Sequence, residues 1–215
     1  MADIEWPEDI VPFKVAYYLQ PHVGGSESPF NRQRKVYELS APRWLCRLTF
    51  RGGYDGPNAA AAMGAYLDTF IVQLRGGANR VPIHDFRRPT WRRSKHGRPV
   101  IGAAGLGNEA ALAGATSIVV TGYAPHSYAY GRGDYIGGDG RAHLVRADAW
   151  ADDLGKATVS FDPPLAADVA SGAAVFEEVT SMFTLIGDDA GLNETEVGDA
   201  TTYTLDFMED LNSGT

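Results

Sequence analysis

The chain has 215 residues, 44% of them hydrophobic and 21% charged, which is enough apolar material for a core that needs no metal or disulfide staple. Its single cysteine excludes an internal disulfide and a cysteine-based zinc site, and no apolar run approaches the ~20 residues that cross a bilayer as a helix. The net charge of −8 divides unevenly: residues 1–100 hold 15 Lys/Arg against 9 Asp/Glu, net +6, and residues 101–215 hold 4 against 18, net −14.

The start of the chain carries Asp3, Glu5, Glu8 and Asp9 where a secretory signal would be basic and then apolar. The expectation is a protein made in the cytoplasm that stays there or is packed there into something larger. The charge asymmetry has two readings. One is a pair of differently charged, solvated faces. The other is self-complementarity, a basic face of one copy meeting an acidic face of the next.

Residues 1–35 are rich in Pro and Gly, have little core of their own, and suit an arm lying over a neighbour. Residues 36–50 read as extended: Trp44, Cys46, Leu48 and Phe50 share one face and Arg47 and Thr49 the other, with Pro42 placed before the strand or on an edge. A turn at 51–56 leads into a helix with Asp55 or Asn58 as cap and Pro57 in its first turn. Its apolar stripe is Met63, Leu67, Phe70, Ile71 and Leu74, and Gly76-Gly77 ends it. Residues 81–86 read as a strand with Val81, Ile83 and Asp85 on one side and His84 and Phe86 on the other. Residues 87–98 contain six cations and no acid, punctuated by Gly and Pro, and read as an exposed connection. Short strands follow at 116–122, 135–136, 142–147, 156–161 and 173–179, with a hairpin turn at 137–140, and together they predict a small antiparallel barrel or sandwich. Strict alternation returns at 201–207, where Tyr203, Leu205 and Phe207 face one way; this strand is expected to join the N-terminal sheet.

Motifs that carry chemistry are few. The five histidines show neither the i, i+4 spacing of a zinc protease nor an HxH pair. His84 beside Asp85 lacks a third partner for acid–base work, and Cys46 lies on an apolar strand face, where a structural thiol is expected. Asp152, Asp153, Asp162, Asp188 and Asp189 lack EF-hand spacing and read as solvated loop acids. Tyr123, Tyr128, Tyr130 and Tyr135 either pack locally or form a sugar-stacking or protein-binding surface. Catalytic, metal and cofactor residues are therefore expected to be none.

Residues 28–54 (SPFNRQRKVYELSAPRWLCRLTFRGGY), 74–89 (LRGGANRVPIHDFRRP) and the closing TYTLDFMEDL resemble distal tail proteins of siphophages and phage-derived gene transfer agents. Residues 133–165 (GDYIGGDGRAHLVRADAWADDLGKATVSFDPPL) resemble the β-rich module of such proteins, and the order and spacing of the pieces carry the match. The resemblance implies a hexameric ring built from a belt domain, a β-structure with one packed helix, joining the tail tube to the hub at the tail tip. A second β-domain projects outward and in some relatives binds carbohydrate or another tail-tip protein.

The resulting expectation is a mainly β (α+β) chain with a discontinuous belt domain, residues 1–97 with 179–215, and an inserted β-domain, residues 98–178. Its function would be structural, in a virion tail tip assembled in the host cytoplasm, with a carbohydrate- or receptor-binding module as the alternative and an envelope hydrolase as the remaining rival. Partners would be itself as a homo-hexamer, the tube protein, the hub or tail-tip protein and the tape-measure protein, with no membrane anchor and no direct nucleic-acid recognition. The residues expected at interfaces are Arg32, Arg34, Lys35, Arg87, Arg88, Arg92, Arg93, Tyr203 and Phe207.

Overall fold

A computed structural model describes residues 1–52, 59–88, 107–187, 189–192 and 201–211. In chain order the elements are β1 (Lys14–Glu27), β2 (Arg34–Gly52), α1 (Ala59–Leu74), a 3-10 turn (Arg75–Gly77), β3 (Arg80–Ile83), β4 (Gly107–Asn108), β5 (Ser117–Thr121), β6 (Tyr128–Tyr130), β7 (Tyr135–Ile136), β8 (His143–Val145), β9 (Ala149–Trp150), β10 (Ala157–Asp162), β11 (Ser181–Leu185) and β12 (Thr201–Glu209). The fold is mainly β, with α1 the one α-helix among the described residues. It divides into two compact units, Met1–Pro82 with Met182–Leu211, and Ile83–Ser181. The chain thus changes unit within β3 and at the start of β11. The boundary expected at 97–98 lies outside the described residues, and residues 83–88 group with the second unit.

The first unit is a five-stranded sheet in the order β1-β2-β12-β11-β3 with α1 against β2. Its register follows from the alternation in sequence. Tyr203, Leu205 and Phe207 lie opposite Phe50, Leu48 and Cys46, so the apolar faces of two central strands coincide and are buried together. On α1, Leu67, Phe70 and Leu74 are buried and Met63 and Ile71 half-buried. The close approach of α1 to the sheet depends on Gly52, where a Cβ would stand 3.0 Å from the Cα of Gly64 and 2.9 Å from the Tyr203 ring. The helix ends as the glycines require: Gly76 and Gly77 have φ of 59° and 89°. The capping residues Asp55, Pro57 and Asn58 lie outside the described residues.

Residues 1–13 are packed, contrary to the arm reading. Trp6 lies 5.3 Å from Phe70 and 6.2 Å from Phe50 between ring centroids, its Nε1 donates to the Ile10 carbonyl, and Ile10 is fully buried. Ile4 donates to the Arg80 carbonyl and Arg80 to that of Ala2, so this segment covers the outer edge of β3. Residues 14–27 form β1, a strand the sequence reading did not assign.

The second unit holds the sheet β4-β5-β10-β8-β7 and the two-stranded pair β6-β9. Its core takes Ile118 and Val120 from β5, Tyr130 from β6, Val145 from β8 and Val159 and Phe161 from β10. The 137–140 turn does join a hairpin, β7 to β8. The expected strand at 173–179 is instead a coil with one bridge, Gly137 to Val175, because Asn108 takes the neighbouring amide of Ala174 on its side-chain oxygen. Asp139 organises the turn: one oxygen faces Nε2 of the buried His143 at 2.8 Å and the other accepts the Ala166 amide at 2.7 Å, while Nδ1 of His143 faces the Pro163 carbonyl at 2.7 Å. Among the described residues no helix is long and apolar enough to cross a membrane.

Candidate functional site

β1 and β2 form one antiparallel hairpin that is far longer than the rest of the sheet is wide. Lys14 pairs with Thr49 at its base and Glu27 with Arg34 at its end. Pro21 and Pro42, which have no N–H to donate, fall at the register shift between Gln20 and His22. Below this bulge the hairpin is part of the sheet, with Tyr17, Trp44 and Cys46 buried. Beyond it the hairpin has no buried side chain among the described residues. From position 34 to 41 every side chain is exposed, and Val23, Val36, Tyr37 and Leu39 are each about half accessible or more.

The tip, residues 28–33, is a small turn held by the Ser28 amide donating to the Gln33 carbonyl and the Arg32 amide donating to that of Ser28. Asn31 Oδ1 accepts the Gln33 amide. Phe30 projects from this turn and is 97% exposed. A two-stranded ribbon is marginal by itself in water, and each large apolar side chain left outside forgoes about 1.5–3 kcal/mol of burial. The outer edge of β1 adds unpaired backbone groups, since no strand pairs with it among the described residues. The arm is therefore an exposed, partly apolar surface with an open strand edge.

The outer face of the sheet carries a second feature. Ala16 and Tyr18 of β1, Leu45 and Arg47 of β2, Asp206 of β12 and Ile186 surround an open depression of about 290 Å³. Tyr18 is 52% and Ile186 43% exposed. At its rim Arg47 donates to both Asp206 oxygens, at 2.6 and 2.9 Å.

The structure sorts the expected interface residues into three groups. Arg32, Arg34 and Lys35 stand together at the end of the arm and are exposed. Arg92 and Arg93 lie outside the described residues. The remainder require correction. Tyr203 and Phe207 are buried, on a strand flanked by β2 and β11, and are not an exposed face; Phe207 lies in the lining of the depression and the Tyr203 hydroxyl donates to Asp68 at 3.1 Å. Arg87 and Arg88 are not a free basic face, because both fold onto Asp85.

Asp85, considered in the sequence only as a partner for His84, is the centre of a buried network. Its side chain has no solvent exposure. It accepts from Arg87 Nε at 2.8 Å, from Arg87 NH2 at 2.9 Å and from the Tyr135 hydroxyl at 3.0 Å. Arg88 lies over the Tyr135 ring and donates to the Gly133 carbonyl. Burial alone would raise the carboxyl's pKa, but the Arg87 hydrogen bonds and charge outweigh it and hold the group below its ordinary 3.8. Asp139 is held low in the same way, burial being outweighed by its contact with His143.

Other candidates resolve as structure. His84 packs against Phe86, 4.4 Å between ring centroids, and burial lowers its pKa against the opposing pull of Glu178 and Asp85. Cys46 is buried. Asp152 accepts the amides of Leu154 and Lys156, Asp153 pairs with His126, and Asp162 with Arg146. Of the tyrosine cluster, Tyr123, Tyr130 and Tyr135 are buried, and burial raises their phenolic pKa. Tyr128 is half-buried and meets the exposed Trp150 edge-on at 5.1 Å. Among the described residues no group of three His, Cys, Asp or Glu side chains is placed to hold a metal ion. No family model matches the chain, and no curated protein matches it.

Proposed function

We propose that this protein is a structural ring component of a long, non-contractile phage-like tail, of the distal tail type, and that copies of the first unit associate head to tail into a hexamer. The observation that carries the reading is the β1–β2 arm: a hairpin whose far half is exposed on both faces and whose outer edge is unpaired. A long, unprotected edge is a liability in a monomer and an asset in an annulus, where each edge is covered by the next copy. The opposed charges of the two halves of the sequence fit the same reading. On this reading the ring sits at the tail tip between tube protein and hub, with the tape-measure protein as a further neighbour, and performs no catalysis.

Negative-stain images and native mass measurement of the purified chain test it, with six-fold annuli as the expected result. Replacing residues 22–40 by a two-residue turn should leave the unfolding midpoint nearly unchanged, reduce the far-UV β signal only by the strand removed, and abolish the annuli. Monomers from the intact chain at all concentrations, or annuli from the armless one, would contradict the proposal.

A carbohydrate-binding reading of the second unit has one observation in its favour. Trp150 is 50% exposed and braced edge-on by Tyr128, and Asp148 beside them accepts the Arg132 amide. An exposed aromatic face next to a fixed carboxylate suits a sugar ring. Glycan-array binding by the full chain that disappears in Trp150→Ala supports this reading, and a silent array removes it.

A further inference from the structure

Building on the ring reading, we propose that Phe30 at the arm tip of one copy seats in the depression on the outer sheet face of the next copy. The first unit carries a knob with no hole and a hole with no knob. Phe30 is the most exposed aromatic side chain among the described residues, at 97%, and sits where a tight turn fixes its direction. The depression, about 290 Å³, is lined by Tyr18, Leu45 and Ile186. That volume lies at or below the bottom of the range for small-molecule sites, about 300–1,000 Å³, and suits a single aromatic side chain better than a metabolite. Aromatic anchors in such depressions are the usual centres of protein interfaces.

Charge favours a second copy as the occupant. Around Phe30 the tip presents Arg32, Arg34 and Lys35. Ile186, Asp206 and Phe207 form one wall of the depression, and Asp206 is the carboxylate in its lining. At the rim, Asp206 gives two acceptor sites to Arg47 and, as a carboxylate with roughly four, keeps others for an incoming arginine. Position agrees with charge. Ala16 and Tyr18 belong to β1, so the depression begins at the open edge strand that the ring reading already assigns to the neighbour. Knob and hole lie on different parts of the same unit, so the contact can run head to tail and close by rotation into a ring, as the ring reading requires, whereas a reciprocal exchange would stop at a two-fold dimer.

The test mixes two full-length variants, Phe30→Cys and Ile186→Cys, with a short bismaleimide. Cys46 is 2% exposed but lines the depression, so a Cys46→Ser version of both variants is run in parallel. A cross-linked dimer is expected from the mixture and not from the unsubstituted chain. Phe30→Asp should weaken self-association by about 30-fold or more without changing the unfolding midpoint, since the side chain is 97% exposed in its own copy. Annuli that persist in Phe30→Asp, with no cross-link in the mixture, overturn this seat and leave the ring reading standing. A chain that is monomeric throughout overturns both.

Discussion

Asp85→Ala is expected to destabilise the second unit by about 2–3 kcal/mol, read as a lower urea midpoint at unchanged slope. The carboxylate is fully buried and holds Arg87 through two side-chain hydrogen bonds and the Tyr135 hydroxyl through a third. Removing one partner of a buried charge pair costs about 3–5 kcal/mol when the other charge is stranded. Here the loss is smaller, because the Arg87 and Arg88 side chains are 41% and 30% exposed and can turn to water. The effect depends on pH with a definite sign. In the folded chain Asp85 titrates below 3.8, so acid protonates it first in the unfolded state. Its contribution is complete above that value and fades as pH falls through the folded-state pKa. The difference between wild type and Asp85→Ala should therefore shrink below pH 3.8; a gap that stays constant into strong acid would show that the charge is not what holds this segment.

Trp44→Ala is expected to cost the first unit about 3–5 kcal/mol, measured in the same way. Trp44 is 2% exposed on a central strand, packs 4.9 Å from Tyr17 between ring centroids, and its backbone N–H donates to the buried Glu209 carboxylate at 2.7 Å. Truncation leaves a cavity between β1 and β2 at the root of the arm, where the sheet cannot close over it. Phe30→Ala is the internal comparison. Its ring is almost wholly in water, so a change within about 0.5 kcal/mol is expected. An equally small effect at Trp44 would mean that the root of the hairpin is not part of the core.

Period-two alternation carried much of the fold. Trp44, Cys46, Leu48 and Phe50, and again Tyr203, Leu205 and Phe207, have only one arrangement that buries both apolar faces, and the strands pair in that register. The helix was equally legible, from its stripe and its glycine stop. β1 was not, although Val15, Tyr17 and Leu19 alternate, because Pro21, Gly24 and Gly25 look like loop residues. Only the pairing with β2 makes room for them, by placing both prolines at a bulge. The candidate site was legible in one part: Arg32, Arg34 and Lys35 are close in sequence and all three are exposed at the end of the arm. Phe30, Tyr18 and Ile186 were missed, since no local pattern tells an exposed aromatic from a buried one. The signal that existed and went unused was Asp85, an acid sharing a strand face with Val81 and Ile83. A buried carboxylate demands donors, and the two arginines that follow it are the nearest.

By itself, then, the sequence determined which segments are strands with a buried face, where the helix runs, and that the charge is divided between the halves of the chain, because these depend on periodicity and composition. The tertiary structure alone decided which charges are available to a partner and which are consumed at home. Arg32 stays free at the end of an unsupported hairpin and Arg87 does not, because availability depends on what lies within about 3 Å in space, and a buried acid two residues away had already claimed it.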